Sequence, residues 1–138
     1  TETIRVAVPG KFYNDGTRIC DMKIIGDATF MLYVYDRGSL SKFEEVDIFM
    51  NDYICFINNI GTDNRERIYI DITTGAKECS NSHVLIINSN LQVIGKFKVI
   101  ANNIQHQFRV TEQGHFYHLF IDEKTKRVKI LKYEPIFD

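Results

Sequence analysis

Val84-Leu85-Ile86-Ile87-Asn88-Ser89-Asn90-Leu91-Gln92-Val93-Ile94-Gly95-Lys96-Phe97 reads as an apolar strand, a polar turn and a second strand that brings the chain back. Asn88 carries the turn in this reading, because a short amide side chain can bond its own backbone two residues on. The same grammar recurs at Leu32-Tyr33-Val34-Tyr35-Asp36, Ile68-Tyr69-Ile70-Asp71 and Leu119-Phe120-Ile121-Asp122. Each is an apolar run closed by Asp or Asn and followed by turn residues, which predicts a serial antiparallel meander.

Working outward, β-branched and aromatic residues alternate with polar ones from end to end. Strands are expected near 4–8, 19–25, 30–35, 43–49, 53–58, 67–72, 84–87, 93–99, 107–111, 116–121 and 127–133. Turn signals separate them at Asn14-Asp15-Gly16, Gly26-Asp27, Asn51-Asp52, Asn58-Asn59-Ile60-Gly61 and Gln113-Gly114. Ten or eleven short strands make the class all-β. Ser39–Asp47 is the one segment with a helical alternative, since Phe43, Val46 and Phe49 could share a helix face. The strand-ending residues fall 35, 17 and 34 apart, so the units repeat loosely and not strictly.

At 138 residues, with 44% hydrophobic and 25% charged residues, the chain has the composition of one globular domain. A net charge of −1 gives no electrostatic case for a nucleic-acid partner. No apolar run is long enough to span a bilayer as a helix. The chain opens at Thr1 without Met, which fits the removal of a signal peptide or of another leading segment, and no such segment remains to be read. Cys20, Cys55 and Cys79 are odd in number and widely spaced, without the close pairs of a zinc or redox site. Cys55, inside Tyr53-Ile54-Cys55-Phe56-Ile57, is expected as a small buried thiol, with one disulfide plus one thiol as the alternative.

The 84–97 hairpin resembles the outer hairpin of a β-propeller blade. Phe108-Arg109-Val110-Thr111-Glu112-Gln113-Gly114 followed by Phe116-Tyr117-His118-Leu119-Phe120-Ile121-Asp122 resembles the inner strands of the next. Lys129-Ile130-Leu131-Lys132-Tyr133-Glu134 would close it. The family so resembled is the six-bladed TolB/NHL-like β-propellers of the Bacteroidetes lipoprotein kind, on residues 83–134 above all. It implies about three propeller-like blades, an extracytoplasmic or envelope-associated location, and either one all-β domain over 1–138 or the C-terminal portion of a larger propeller. A blade takes about 40 residues and a ring at least four blades, so three blades would need a longer chain or a second copy. Other foldings of the same strands are a small closed lipocalin-like barrel, a β-trefoil and a β-sandwich. The absence of Trp counts against the lipocalin, and three equivalent units for a trefoil cannot be aligned.

The chemistry is sparse. His115 and His118, with His106 nearby, form the one histidine cluster. Their odd spacing sends His115 and His118 to opposite faces of a strand, so no metal site is expected. Asp36, Asp71 and Asp122 are read as turn formers and not as a carboxylate cluster. No nucleophile elbow, Walker loop or calcium loop is present. The basic stretch Lys124-Thr125-Lys126-Arg127 is expected to protect an edge strand.

The expectation is therefore a non-catalytic binding or scaffolding module, without cofactor, for a protein, peptide or glycan partner. Gln107 and Arg109 on an inner strand, together with His115 and His118, are its candidate ligand-binding residues. A homo-oligomer is one form such a module takes. The alternatives are a carrier barrel for a small apolar ligand and a small hydrolase using Asp and His at strand ends.

Overall fold

A computed structural model describes residues 4–6, 18–48, 52–75, 77–99, 106–122 and 124–133. The turn read at Asn14-Asp15-Gly16, together with Phe49, Asn51 and Glu134, lies outside the described residues. Eleven strands form among them: β1 Ile4–Val6, β2 Arg18–Ile24, β3 Thr29–Asp36, β4 Ser39–Asp47, β5 Ile54–Thr62, β6 Ile68–Thr74, β7 Asn81–Ile87, β8 Val93–Lys98, β9 His106–Val110, β10 Phe116–Asp122 and β11 Arg127–Tyr133. They pair antiparallel, in chain order, into three open sheets: β1-β2-β3-β4, β5-β6-β7-β8 and β9-β10-β11.

Among the described residues no sheet closes or curls on itself, and no ladder joins one sheet to the next. This overturns the propeller resemblance, and with it the closed barrel, trefoil and sandwich alternatives. The physical reason lies in what a hairpin encodes. Alternation and turn chemistry fix which strands pair, whereas closure depends on long-range packing that the hairpin pattern does not carry.

The helical alternative over Ser39–Asp47 is also corrected, since the segment is strand β4. Arg37 and Gly38 both hold positive φ (52° and 80°), the two-residue turn whose twist matches paired strands. That turn returns the chain directly onto β3, pairing from Asp36↔Ser39 to Thr29↔Asp47 with one register shift between Val34 and Tyr35.

Two apolar clusters hold the sheets face to face. Cys20, Met22, Phe30 and Leu32 of the first sheet meet Ile70 and Ile72 of the second, with their neighbours. On its other face the second sheet turns Tyr69, Val84 and Ile86 toward Phe108 and Phe116 of the third. Strand β6 thus alternates between two cores, with Ile68, Ile70 and Ile72 on one side and Tyr69 on the other, as the period of two requires. Polar ties cross the first junction: the Ile54 amide donates to the Asp27 carbonyl (2.7 Å), and Lys96 Nζ donates to the Ile48 carbonyl (2.9 Å).

Cys55 is not a buried thiol. It is bonded to Cys79 across 24 residues, while Cys20 is the thiol buried between the first two sheets. The bridge ties the start of β5 to the loop before β7. In the chain-entropy picture, closing a loop of that length stabilises the fold by about 3 kcal/mol.

Candidate functional site

The strand-ending residues divide on inspection. Asn88 Oδ1 accepts from the amides of Asn90 (3.0 Å) and Gln92 (2.9 Å), and Asp122 Oδ1 accepts from that of Lys124 (2.9 Å). Asp122 also pairs through Oδ2 with Lys129 Nζ (2.7 Å), and that bond more than any other contact holds its carboxyl below the usual range. Asp71 is different: it sits inside β6, paired in register with Asn58 and Val84, and is only 5% exposed. Its reading as punctuation is therefore wrong, and the irregular spacing of 17 follows from counting a mid-strand residue as a strand end.

Burial alone pushes the Asp71 carboxyl from an ordinary 3.8 up to about 6, and its Oδ1 has no hydrogen-bond partner among the described residues. A carboxyl whose folded pKa is raised favours folding while protonated. Its contribution is complete below about pH 4 and is lost as pH rises through about 6, a loss of about 3 kcal/mol. Denaturant midpoints between pH 4 and 7 should fall in the native chain and run flatter in Asp71→Asn. Parallel profiles for the two would show that Asp71 is not the group responsible.

The β5–β6 turn builds the densest polar constellation, which sequence reading missed. Asp63 Oδ1 accepts from the amides of Arg65 (2.9 Å) and Arg67 (3.2 Å). Its Oδ2 accepts from Arg67 Nε (2.6 Å) and from the Tyr69 hydroxyl (3.0 Å). Burial first, then the Asp63 carboxylate, raises the Tyr69 hydroxyl far above its usual range, so it stays a donor. The β9–β10 turn closes over this group. The Asn64 amide donates to the Glu112 carbonyl (2.6 Å), and Gly114 sits at φ +90° with its missing side chain aimed at the knot. A Cβ there would lie 3.0 Å from Arg67 and 3.2 Å from both Asp63 and Tyr69. The acceptor, donors and glycine satisfy one another, so this is a clasp between the second and third sheets. Its sequence signal was Asp63-Asn64-Arg65-Glu66-Arg67, an acid four residues before a base inside a turn.

The sequence-predicted ligand residues do not converge. Gln107 and Arg109 lie together on β9, exposed, with Arg109 donating to the Phe108 carbonyl (2.8 Å) and Gln107 Oε1 (3.4 Å). His115 is exposed in the turn before β10, its amide on Thr111 Oγ1 (3.1 Å). His118 is buried on the opposite face of the sheet from Gln107 and Arg109, stacked on Phe108 at 4.6 Å and near Phe120 at 5.1 Å. The side chain of His106 lies outside the described residues. Among the described residues no group of three or more His, Cys, Asp or Glu is placed to hold a metal ion. Asp36, Asp71 and Asp122 belong to three different sheets.

What remains is surface. Among the described residues the second sheet packs through both faces, whereas the buried clusters reach the first and third sheets through one face each; Asp21, on the other face of the first sheet, is nonetheless 1% exposed. By register, the outer face of the third sheet carries Tyr117, Leu119, Ile121, Val128 and Ile130, with Val128 66% and Ile130 62% exposed. The outer face of the first carries Met31, Tyr33, Tyr35, Leu40 and Phe43, the last 61% exposed. Ordinary cores leave such side chains singly exposed, not in facing rows. No protein family, curated protein or solved structure matches this chain. The two outer faces are thus the best-supported candidate site, and β11 gave the signal: Val128 and Ile130 alternate with Leu131 and Tyr133, making an edge strand apolar on both sides.

No described helix is long and apolar enough to cross a membrane.

Proposed function

We propose that this protein is a non-catalytic scaffolding module that recognises a protein partner through the outer apolar faces of its first and third sheets. The observation that carries the reading is the row Leu119–Ile130 and Ile121–Val128, with Val128 66% and Ile130 62% exposed, on a face that no other described element covers. A broad, flat apolar surface suits a protein face better than a small ligand, which takes a concave pocket. The propeller blades in which loops and the inner strand at 107–109 would have faced a ligand are not the fold. Among the described residues the sheets stay open, so no closed barrel supports the carrier reading. The Cys55–Cys79 bridge supports an oxidising compartment for such a module.

The test is site-specific photo-crosslinking in the cells the protein comes from. A photoreactive residue at Ile130 or at Phe43 is expected to yield a defined protein adduct, and one at the turn residue Lys126 none. Adducts to small apolar molecules only, or equal adducts at all three sites, would remove the reading.

A further inference from the structure

The third sheet ends in an open edge. Strand β11 lies there, no described strand pairs with its free side, and Arg127 to Lys132 are all exposed, with Tyr133 half-buried. At the opposite edge β9 lies beside β5 of the second sheet, so the two edges are not alike. Unpaired backbone along an edge is a template for another strand, and cations are its usual guard. Two cations of β11 are answered from within the sheet: Lys129 Nζ bonds Asp122 Oδ2 (2.7 Å), and Arg127 is the register partner of the same Asp122.

The order of its residues decides what this edge can accept. Laid antiparallel on itself about Ile130, the strand Arg127-Val128-Lys129-Ile130-Leu131-Lys132-Tyr133 sets Arg127 against Tyr133, Val128 against Lys132, Lys129 against Leu131 and Ile130 against Ile130. Every residue of the strand finds a partner, and no cation stands opposite another. A slip of one residue would bring the outer face of one copy level with the buried face of the other. A slip of two sets Lys129 against Lys129 in one direction, and in the other leaves Arg127 and Val128 without a partner.

We infer that β11 pairs with β11 of a second copy of the chain, antiparallel about Ile130, which joins the two three-stranded third sheets into one. The contact is isologous, the same edge meeting itself about a two-fold axis. It goes beyond the scaffolding reading, which uses the sheet faces and not the edge. It also widens one of those faces, because the row from Leu119 to Ile130 continues across the axis into Ile130 and Leu119 of the second copy.

Ile130 tests the axis, since the pairing sets that position against itself. The purified chain is expected to grow in sedimentation velocity with concentration up to about 1 mM. Ile130 is 62% exposed, so I130K and I130E should both keep native circular dichroism. Mixed one to one, opposite charges meet at the axis, and the mixture should associate at least about threefold more tightly than the better of the two alone. A wild type that stays monomeric to that limit overturns the inference. So does a mixture no tighter than its better component, the result expected if position 130 meets a different residue. The two proposals fail separately. A monomer whose Ile130 photoadduct in cells is a different protein keeps the scaffolding role and ends the pairing, and a paired chain whose only adduct is to itself does the reverse.

Discussion

Asp63→Ala is expected to destabilise the protein by about 3–5 kcal/mol, the cost of breaking a buried ion pair by removing one side. The carboxylate has no solvent exposure and Arg67 little, so water cannot replace what is lost. Four donors would lose their acceptor together: the amides of Arg65 and Arg67, the Arg67 guanidinium and the Tyr69 hydroxyl. The companion Asp63→Ala/Arg67→Ala should cost less than the sum of the two single changes, because both single changes remove the same ion pair. Gly114→Ala approaches the same clasp from the other turn. A left-handed φ costs an alanine about 1–2 kcal/mol, and its Cβ presses on Arg67, Asp63 and Tyr69 besides. Urea unfolding of the four variants reads all of this. If Asp63→Ala lowers stability by less than about 1 kcal/mol, the turn is a solvated loop and not a clasp.

Pairing was legible in the chain and placement was not. Leu85-Ile86-Ile87 followed by Asn88 contains its own turn, and the structure shows that turn bonded as the amide predicts. The Arg37–Gly38 turn was equally local, and it decided β4 against the helix. Asp71 failed because an acid after Ile70 looks the same in sequence whether the strand stops there or runs on to Thr74. Only the two-sided burial of β6 between two cores separates the cases, and that burial is supplied by residues far along the chain. Cys55 failed likewise, since nothing around it in the strand announces Cys79. The candidate ligand residues were chosen for chemistry, yet the alternation of β9 and β10 sets His118 on the buried face and Arg109 on the open one. The outer apolar faces were written in the same letters as a core. Val128 and Ile130 are indistinguishable in sequence from Val84 and Ile86 until it is known which sheet has a neighbour.

Phe116→Ala is expected to cost about 3–5 kcal/mol and to loosen the third sheet before the first. Phe116 is fully buried and ringed by four aromatic side chains: Tyr69 at 6.3 Å, Phe97 at 5.6 Å, Phe108 at 5.3 Å and Tyr133 at 5.7 Å. Tyr69 and Phe97 come from the second sheet, Phe108 and Tyr133 from the third, so the ring closes the contact between the two. Flat, rigid neighbours held by their own sheets cannot move in to fill the space, which puts the loss at the upper end for a large-to-small change. Two edge-on pairs, with Phe97 and Tyr133, go as well, each contributing about 0.5–1.5 kcal/mol beyond area alone. The first and second sheets share a separate cluster that contains none of these residues. Native-state hydrogen exchange should therefore show β10 amides opening well ahead of those in β3, whereas Phe43→Ala, on an exposed position, should move stability by no more than about 0.5 kcal/mol. Uniform opening of all three sheets would mean that they unfold as one unit, and that the aromatic ring is not what fastens the third to the second.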